Sequence, residues 1–235
     1  MKFNFDNPNN LINLSPEARL VLEDLYDLKQ PLELALREII KDKPDEVIFL
    51  DKGARIFAVP FMKALKILIP NDMPKIAFVN DGKIKMNRWA QEEQIQILAD
   101  KILGRFYGKK VIFIDETISS GLGVSILLKF QNQFKSFKYI ALSQNPNIEK
   151  PIPLDIRTNP NVVIAKYENV YLFSKMLSKL YITDNEDDET IHISKKQRPK
   201  SEIKGNYKML NIVRKITEDA LIKVANKIKK DSSSA

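Results

Sequence analysis

Two adjacent acids followed by hydroxyl residues and a glycine form the part of this sequence best suited to chemistry. Asp115 and Glu116 come directly after four hydrophobic residues at positions 111–114. A short apolar run of this kind is typical of a strand covered on both faces, and the residues after Gly121 have a helical pattern. At the carboxyl end of a parallel strand, side chains emerge into a crevice where ligands bind. We therefore expect residues 115–121 to line a ligand site.

The chemistry of this segment suits a phosphorylated sugar. A helix beginning near Gly121 would point free backbone N–H groups at the crevice, where such groups bind phosphate. The glycine would let the backbone approach a ligand closely. Carboxylates do not attract phosphate, but they suit sugar hydroxyls or a Mg²⁺ ion that neutralises a pyrophosphate. The residues expected to hold the phosphate are Thr117, Ile118, Ser119, Ser120 and Gly121.

The order of residues here resembles the phosphoribosyl-pyrophosphate signature of type I phosphoribosyltransferases. That signature has four hydrophobics, two acids, two intervening residues, two hydroxyl residues and a glycine. The resemblance implies that Asp115 and Glu116 are the catalytic pair, that they hold the ribose hydroxyls, and that residues 117–121 hold the 5′-phosphate. It also implies transfer of the phosphoribosyl group to a nucleobase-like acceptor with release of pyrophosphate. Mg²⁺ would be the cofactor, with the two acids as possible ligands, and no protein nucleophile would be required.

A second segment matches the same family upstream. It follows the apolar run at positions 47–50 and precedes a helical pattern. The resemblance implies that this loop holds the pyrophosphate through backbone amides, and its two cations would offset the charge of the leaving group. The residues expected to bind substrate here are Lys52, Gly53, Ala54 and Arg55. The mobile loop of the family would fall at residues 80–90.

The sequence departs from the family pattern at two points. The glycine is followed by Leu122 and Gly123, where the family commonly continues with a further glycine and a hydroxyl residue. No acceptor-binding segment matches, although Lys166 and Tyr167 are candidates. These departures favour an alternative, a non-catalytic nucleotide-sensing regulator on the same fold. A third hypothesis is a scaffold whose basic tail binds nucleic acid or a protein partner.

Short apolar runs alternate with helical segments along the chain. This alternation predicts an α/β fold with a central, mostly parallel sheet flanked by helices, like that of type I phosphoribosyltransferases. Strands are expected at 47–50, 76–79, 111–114, 139–142 and 162–165. Helices are expected at about 31–41, 56–69, 89–103, 124–134 and 207–229. The predicted organisation is an N-terminal helical segment (1–45), the core (46–182), a charged linker (183–205) and a basic amphipathic helix (206–235).

The net positive charge is confined to the C-terminal end of the chain. The net charge is +8, and residues 194–235 contain twelve Lys or Arg against four Asp or Glu, so they account for all of it. This tail could bind nucleic acid or be a solvated face, and its apolar stripe could pack on the body or on another copy in a homo-oligomer. The chain has no cysteine, no signal-peptide pattern and no apolar run near the length of a membrane span. We therefore expect a soluble, cytoplasmic protein without a membrane partner.

Overall fold

The computed structural model describes residues 29–50, 54–79, 92–118, 121–144, 152–165 and 200–233. Its strands are β1 (Glu46–Leu50), β2 (Lys75–Val79), β3 (Lys110–Ile118), β4 (Ser136–Gln144) and β5 (Val162–Ile164). Its α-helices are α1 (Lys29–Asp42), α2 (Arg55–Leu68), α3 (Glu92–Leu103), α4 (Leu122–Lys129), α5 (Leu154–Arg157) and α6 (Lys200–Ser233). Short 3₁₀ turns at Gly104–Phe106 and Gln131–Gln133 follow α3 and α4.

The five strands form one sheet in the order β2-β1-β3-β4-β5, and every pairing between them is parallel. This confirms the predicted fold class, a central parallel sheet flanked by helices. The chain moves outward from β1 to β2 in one direction and from β3 to β5 in the other. The strand order therefore reverses between β1 and β3. In open sheets of this type, ligands bind outside the carboxyl ends of the strands at that reversal.

A hydrophobic core lies on each face of the sheet. Ile112 and Ile114 of β3 belong to one core, which is closed by α1, α2 and α6. Val111 and Phe113 belong to the other core, which is closed by α3, α4 and α5. This alternation is the period of two expected for a strand that is covered on both faces.

All five predicted strands are present, but β3 is longer than the sequence pattern indicated. Its ladder with β4 continues through Thr117, which pairs with Ser143, and ends at Ile118, which pairs with Gln144. The two acids of the motif therefore belong to the strand and not to the loop after it. The ladder extends because backbone pairing does not require apolar side chains, which were the only strand signal in the sequence.

Helix α6 begins at Lys200, seven residues before the expected start, and runs for 34 residues. The end of the predicted charged linker is therefore helical, because Lys and Glu are good helix formers and charge predicts exposure better than it predicts conformation. The division of the chain into four segments stays a prediction.

The second half of α6 is part of the folded body. Four of its apolar side chains are at most 4% exposed and pack in the core that α1 and α2 close; they are Leu221, Val224, Ala225 and Ile228. Lys63 on α2 forms an ion pair with Glu218 at 2.7 Å, and Lys227 reaches Glu33 on α1 at 3.3 Å. In the part of the chain that the structure describes, no helix is long and apolar enough to cross a bilayer.

Candidate functional site

The predicted site falls at the reversal of the strand order. Residues 51–54 follow β1 and residues 119–121 follow β3, and β1 and β3 are adjacent parallel strands. Both motifs recognised in the sequence therefore leave the sheet at the same edge and at neighbouring strands. This is the position where the topology of an open α/β sheet creates a crevice.

Asp115 is the acid that reaches solvent at this edge. Its side chain is partly exposed. The phenol of Tyr139 on β4 donates a hydrogen bond to Asp115 Oδ2 at 2.7 Å. Tyr139 pairs with Phe113 in the ladder, so its ring extends along the sheet to reach the residue two positions further on. Asp115 is thus an accessible carboxylate with a fixed orientation.

Glu116 has different surroundings. Only 7% of its surface is exposed, and Oε1 is buried without a hydrogen-bond partner among the residues that the structure describes. Burial, and to a smaller extent the neighbouring Asp115 carboxylate, together raise the pKa of Glu116 to about 8. Glu116 is therefore mostly protonated at neutral pH in this arrangement. Because successive residues of a strand point to opposite faces, it leaves β3 on the side of Ile114, away from Tyr139.

Thr117 is held by a buried serine. Ser143 is fully buried and donates its hydroxyl proton to the backbone carbonyl of Glu116 at 2.7 Å. The Ser143 and Thr117 hydroxyl oxygens lie 2.7 Å apart. Since the one proton of Ser143 is already committed, Thr117 must donate in this contact. Thr117 then has lone pairs to offer a ligand but no proton, which differs from the expectation that it holds a phosphate, because a phosphate oxygen needs a donor.

Gly121 begins α4 as predicted. It is the N-cap residue, with a left-handed φ of 77°, a conformation that favours glycine. A Cβ atom built on it would lie 2.8 Å from Ile156 Cδ1 and 3.3 Å from Pro153 Cδ. The absence of a side chain therefore serves two purposes here: it permits the turn, and it lets the segment around α5 pack against the start of α4. Among the residues that the structure describes, no side chain caps this helix end.

The other predicted site residues are described only in part. Ile118 is 3% exposed, so its side chain belongs to the core. Ala54 is fully buried and occupies the N-cap position of α2, and Arg55 is the first residue of that helix. The residues that lie outside the described ranges are Lys52, Gly53, Ser119 and Ser120, together with the loop at 80–90 and the acceptor candidates Lys166 and Tyr167.

Comparison with known proteins gives similarity to solved structures alone. No family model matches the sequence, and no curated protein matches it. A hypoxanthine-guanine-xanthine phosphoribosyltransferase aligns over 62% of this chain and 77% of its own, with 15% identity and a TM-score of 0.39. A purine phosphoribosyltransferase from Pyrococcus horikoshii Ot3 aligns over 61% of this chain and 88% of its own, with 15% identity and a TM-score of 0.37. Both names belong to the family that the motif at 115–121 resembles. These superpositions are weak, so a function for this chain has to rest on its own residues.

The acids at the end of β3 fit a Mg²⁺ ion only in part. Mg²⁺ prefers carboxylate and other oxygen ligands, and the carboxyl group of Asp115 is partly exposed near the end of β3. The orphaned Oε1 of Glu116 is the kind of oxygen that a cation would stabilise, but it is buried. Among the described residues, no three Asp, Glu or His side chains lie together in a way that could hold a metal. A Mg²⁺ ion at this edge would therefore depend on oxygens of its ligand as well as on Asp115.

A cavity of about 600 Å³ lies at the opposite edge of the sheet. It is lined by residues at the amino ends of the strands, including Glu46, Lys75 and Lys109. Lys109 forms an ion pair with Glu46 at 2.5 Å, and Asp45 accepts a hydrogen bond from the backbone of Lys110 at 2.8 Å. These charged groups tie β1 to the start of β3, so they have a structural role in the described part of the chain.

Three features of the site were not predicted from the sequence. Tyr139 and Ser143 were assigned only to a weak strand, because contacts between strands are not visible in a single sequence. The segment that packs on Gly121, with Ile152, Pro153 and Ile156, was also missed. The proline and the short spacing between the two isoleucines are compatible with a surface loop, so the sequence offered no signal for this contact.

Proposed function

We propose that this chain binds phosphoribosyl pyrophosphate with Mg²⁺ at the carboxyl ends of β1 and β3. In this proposal it transfers the phosphoribosyl group to a nucleobase-like acceptor and releases pyrophosphate. One observation carries the proposal. A surface carboxylate, Asp115, and a helix start, Gly121, leave the same strand next to the point where the strand order reverses. The first suits sugar hydroxyls and the second suits phosphate.

The described residues would act through binding and orientation. The first amides of α4, from Leu122 onward, have no acceptor within the helix, so they can donate to the 5′-phosphate. The Asp115 carboxylate would accept from a ribose hydroxyl. Holding the sugar at both ends fixes its anomeric carbon relative to an acceptor, which makes attack effectively unimolecular.

The proposed reaction exchanges two bonds at the anomeric carbon. The bond from this carbon to the pyrophosphate oxygen breaks, and pyrophosphate leaves with the electron pair. A nitrogen of the acceptor forms the new bond and loses its proton to the departing pyrophosphate or to solvent. Mg²⁺, when bound, would neutralise charge on the departing pyrophosphate. Lys52 and Arg55 are proposed to add to this neutralisation, since their loop follows the neighbouring strand.

The first test is calorimetric titration of the protein with phosphoribosyl pyrophosphate and Mg²⁺. We expect saturable binding in the wild type and much weaker binding in Asp115→Asn. Pyrophosphate release is then assayed with a panel of purine and pyrimidine bases. Release that depends on one base would identify the acceptor. If the wild type shows no binding, the proposal is wrong.

A non-catalytic sensor on the same fold is the second candidate, and one observation favours it. Glu116, the partner acid of the motif, is buried and largely protonated, so Asp115 is the acid of the pair that a ligand could reach. The site would then hold a ribose phosphate without completing a catalytic arrangement. Binding of phosphoribosyl pyrophosphate with no pyrophosphate release under any base would support the sensor over the enzyme.

The basic tail stays a predicted nucleic-acid contact, but the variants that test it must not disrupt the core. Deleting residues 194–235 would remove Leu221 and Val224 from the core and would damage the protein. Replacing exposed lysines of α6, such as Lys229 and Lys230, by Gln leaves that packing intact. A nucleic-acid affinity that falls with these substitutions and with added salt would support the tail hypothesis.

A further inference from the structure

Strand β4 supports the end of β3 through two buried hydroxyl groups. Tyr139 is 1% exposed and donates to Asp115 Oδ2, while Ser143 is fully buried and donates to the carbonyl of Glu116. The same Ser143 oxygen accepts from Thr117. Three consecutive residues of the candidate site are thus hydrogen-bonded to side chains of the neighbouring strand.

Packing alone does not account for the hydroxyl of Tyr139. Its ring lies in the core with Phe113 and Phe137, where phenylalanine would bury the same apolar surface. A buried phenol needs a hydrogen-bond partner, since leaving it unpaired costs about 1–3 kcal/mol. Its partner here is the one acid of the motif that also reaches solvent. A bond from a neutral donor to a charged acceptor is stronger than one between neutral groups, and it restricts the rotation of the carboxylate.

We propose that Tyr139 and Ser143 are positioning residues for the ribose-phosphate site. Tyr139 fixes the direction of the Asp115 carboxylate towards the sugar. Ser143 fixes the backbone of Glu116 and makes the Thr117 hydroxyl an acceptor, directed at a ligand that can donate. This inference rests on the proposed function, because it assigns the groups that orient the same site.

The experiment compares binding of phosphoribosyl pyrophosphate with Mg²⁺ in the wild type, Tyr139→Phe, Asp115→Asn and the double variant. We expect Tyr139→Phe to weaken binding several-fold, up to about tenfold, because the Asp115 carboxylate would no longer be held in one direction. On the Asp115→Asn background, the same change should have little further effect, because Tyr139 acts through that carboxylate. A purely structural role would instead weaken both backgrounds equally.

The chain offers a matched control in a second tyrosine. The hydroxyl of Tyr107 donates to Asp100 Oδ1 at 2.8 Å, away from the candidate site. Tyr107→Phe removes a tyrosine–aspartate bond of the same kind and should leave binding unchanged. Thermal unfolding of each variant shows whether it is folded. Ser143→Ala provides a second measurement and should weaken binding several-fold through Thr117.

The possible results separate this inference from the proposed function. If the wild type does not bind the ligand, both are overturned. If the wild type binds while folded Tyr139→Phe and Ser143→Ala bind equally well, the inference alone is overturned. Additive losses in the Tyr139→Phe and Asp115→Asn pair would also overturn it. Should Tyr139→Phe fail to fold, the Ser143→Ala measurement decides.

Discussion

Asp115 and Glu116 are adjacent in the chain but stand in opposite environments. Asp115 is partly exposed and accepts a hydrogen bond from Tyr139, whereas Glu116 is 7% exposed and its Oε1 has no partner within the described residues. The difference arises because both residues lie in β3, where neighbours point to opposite faces of the sheet. An acid pair that looks symmetrical in the sequence is therefore unequal in the folded protein.

The two acids should contribute unequally to ligand binding. Asp115→Asn removes the accessible carboxylate, so we expect it to weaken phosphoribosyl pyrophosphate binding by tenfold or more, about 1.4 kcal/mol or above. Glu116→Gln replaces a group that is already mostly protonated, so its effect should be smaller. Calorimetric affinities at pH 7 with excess Mg²⁺ measure both. A larger loss in Glu116→Gln would mean that Glu116 becomes exposed in the bound state.

Glu116 should make the stability of the protein depend on pH. The pKa of Glu116 is about 8 in the folded state against an ordinary value of 4.5, so between these values the folded state keeps a proton that the unfolded state loses. Unfolding then releases a proton, and the free energy of unfolding falls as pH rises through this window, by at most about 1.4 kcal/mol per pH unit. The contribution of Glu116 to the free energy of unfolding is fully present below pH 4.5 and is lost by about pH 8. Urea denaturation at pH 5.5 and 7.5 measures it.

In Glu116→Gln this contribution to the pH dependence should disappear, because an amide does not titrate in that range. Glu93→Gln is the matched control, since Glu93 is exposed on α3 and its replacement should leave the wild-type slope unchanged. An identical pH slope in the wild type and in Glu116→Gln would show that Glu116 is ionised in the folded protein.

Gly121→Ala should disrupt the turn before α4 more than Gly108→Ala disrupts its own turn. Both glycines have a left-handed φ, 77° and 73°, so alanine costs about 1–2 kcal/mol at each. A Cβ atom at Gly108 would meet none of the described residues within 4 Å, whereas one at Gly121 would meet Ile156 at 2.8 Å. We expect a further loss of about 1 kcal/mol at Gly121, towards the low end of typical overpacking.

The same pair of variants separates stability from binding. Gly121→Ala should also weaken phosphate binding, because the first amides of α4 would shift, whereas Gly108→Ala should bind like the wild type. Thermal denaturation gives the first comparison and calorimetry the second. Equal destabilisation by the two substitutions would mean that the segment around α5 does not pack against Gly121 as described.

The sequence predicted the strands well because a strand covered on both faces appears as a compact apolar run. It predicted the turn at Gly121 because an N-terminal helix signal is local. It could not predict that β3 continues through Asp115 and Thr117, since polar residues give no strand signal when backbone pairing alone extends the ladder. Nor could it predict that Glu116 is buried, since a charged residue is expected at the surface unless it is paired. Tyr139 was missed because its partner lies 24 residues away in sequence.

Helix α6 should be required for the stability of the core, and Leu221 tests this most directly. Leu221 is fully buried in the core formed with α1 and α2, so Leu221→Ala should destabilise the protein by about 2–5 kcal/mol. Ile97 on α3 is 63% exposed, and Ile97→Ala should change the free energy of unfolding by less than about 0.5 kcal/mol. Urea denaturation measures both changes. A Leu221→Ala variant as stable as the wild type would mean that α6 is not docked on α1 and α2. In that case deleting residues 194–235 would be an acceptable test of nucleic-acid binding after all.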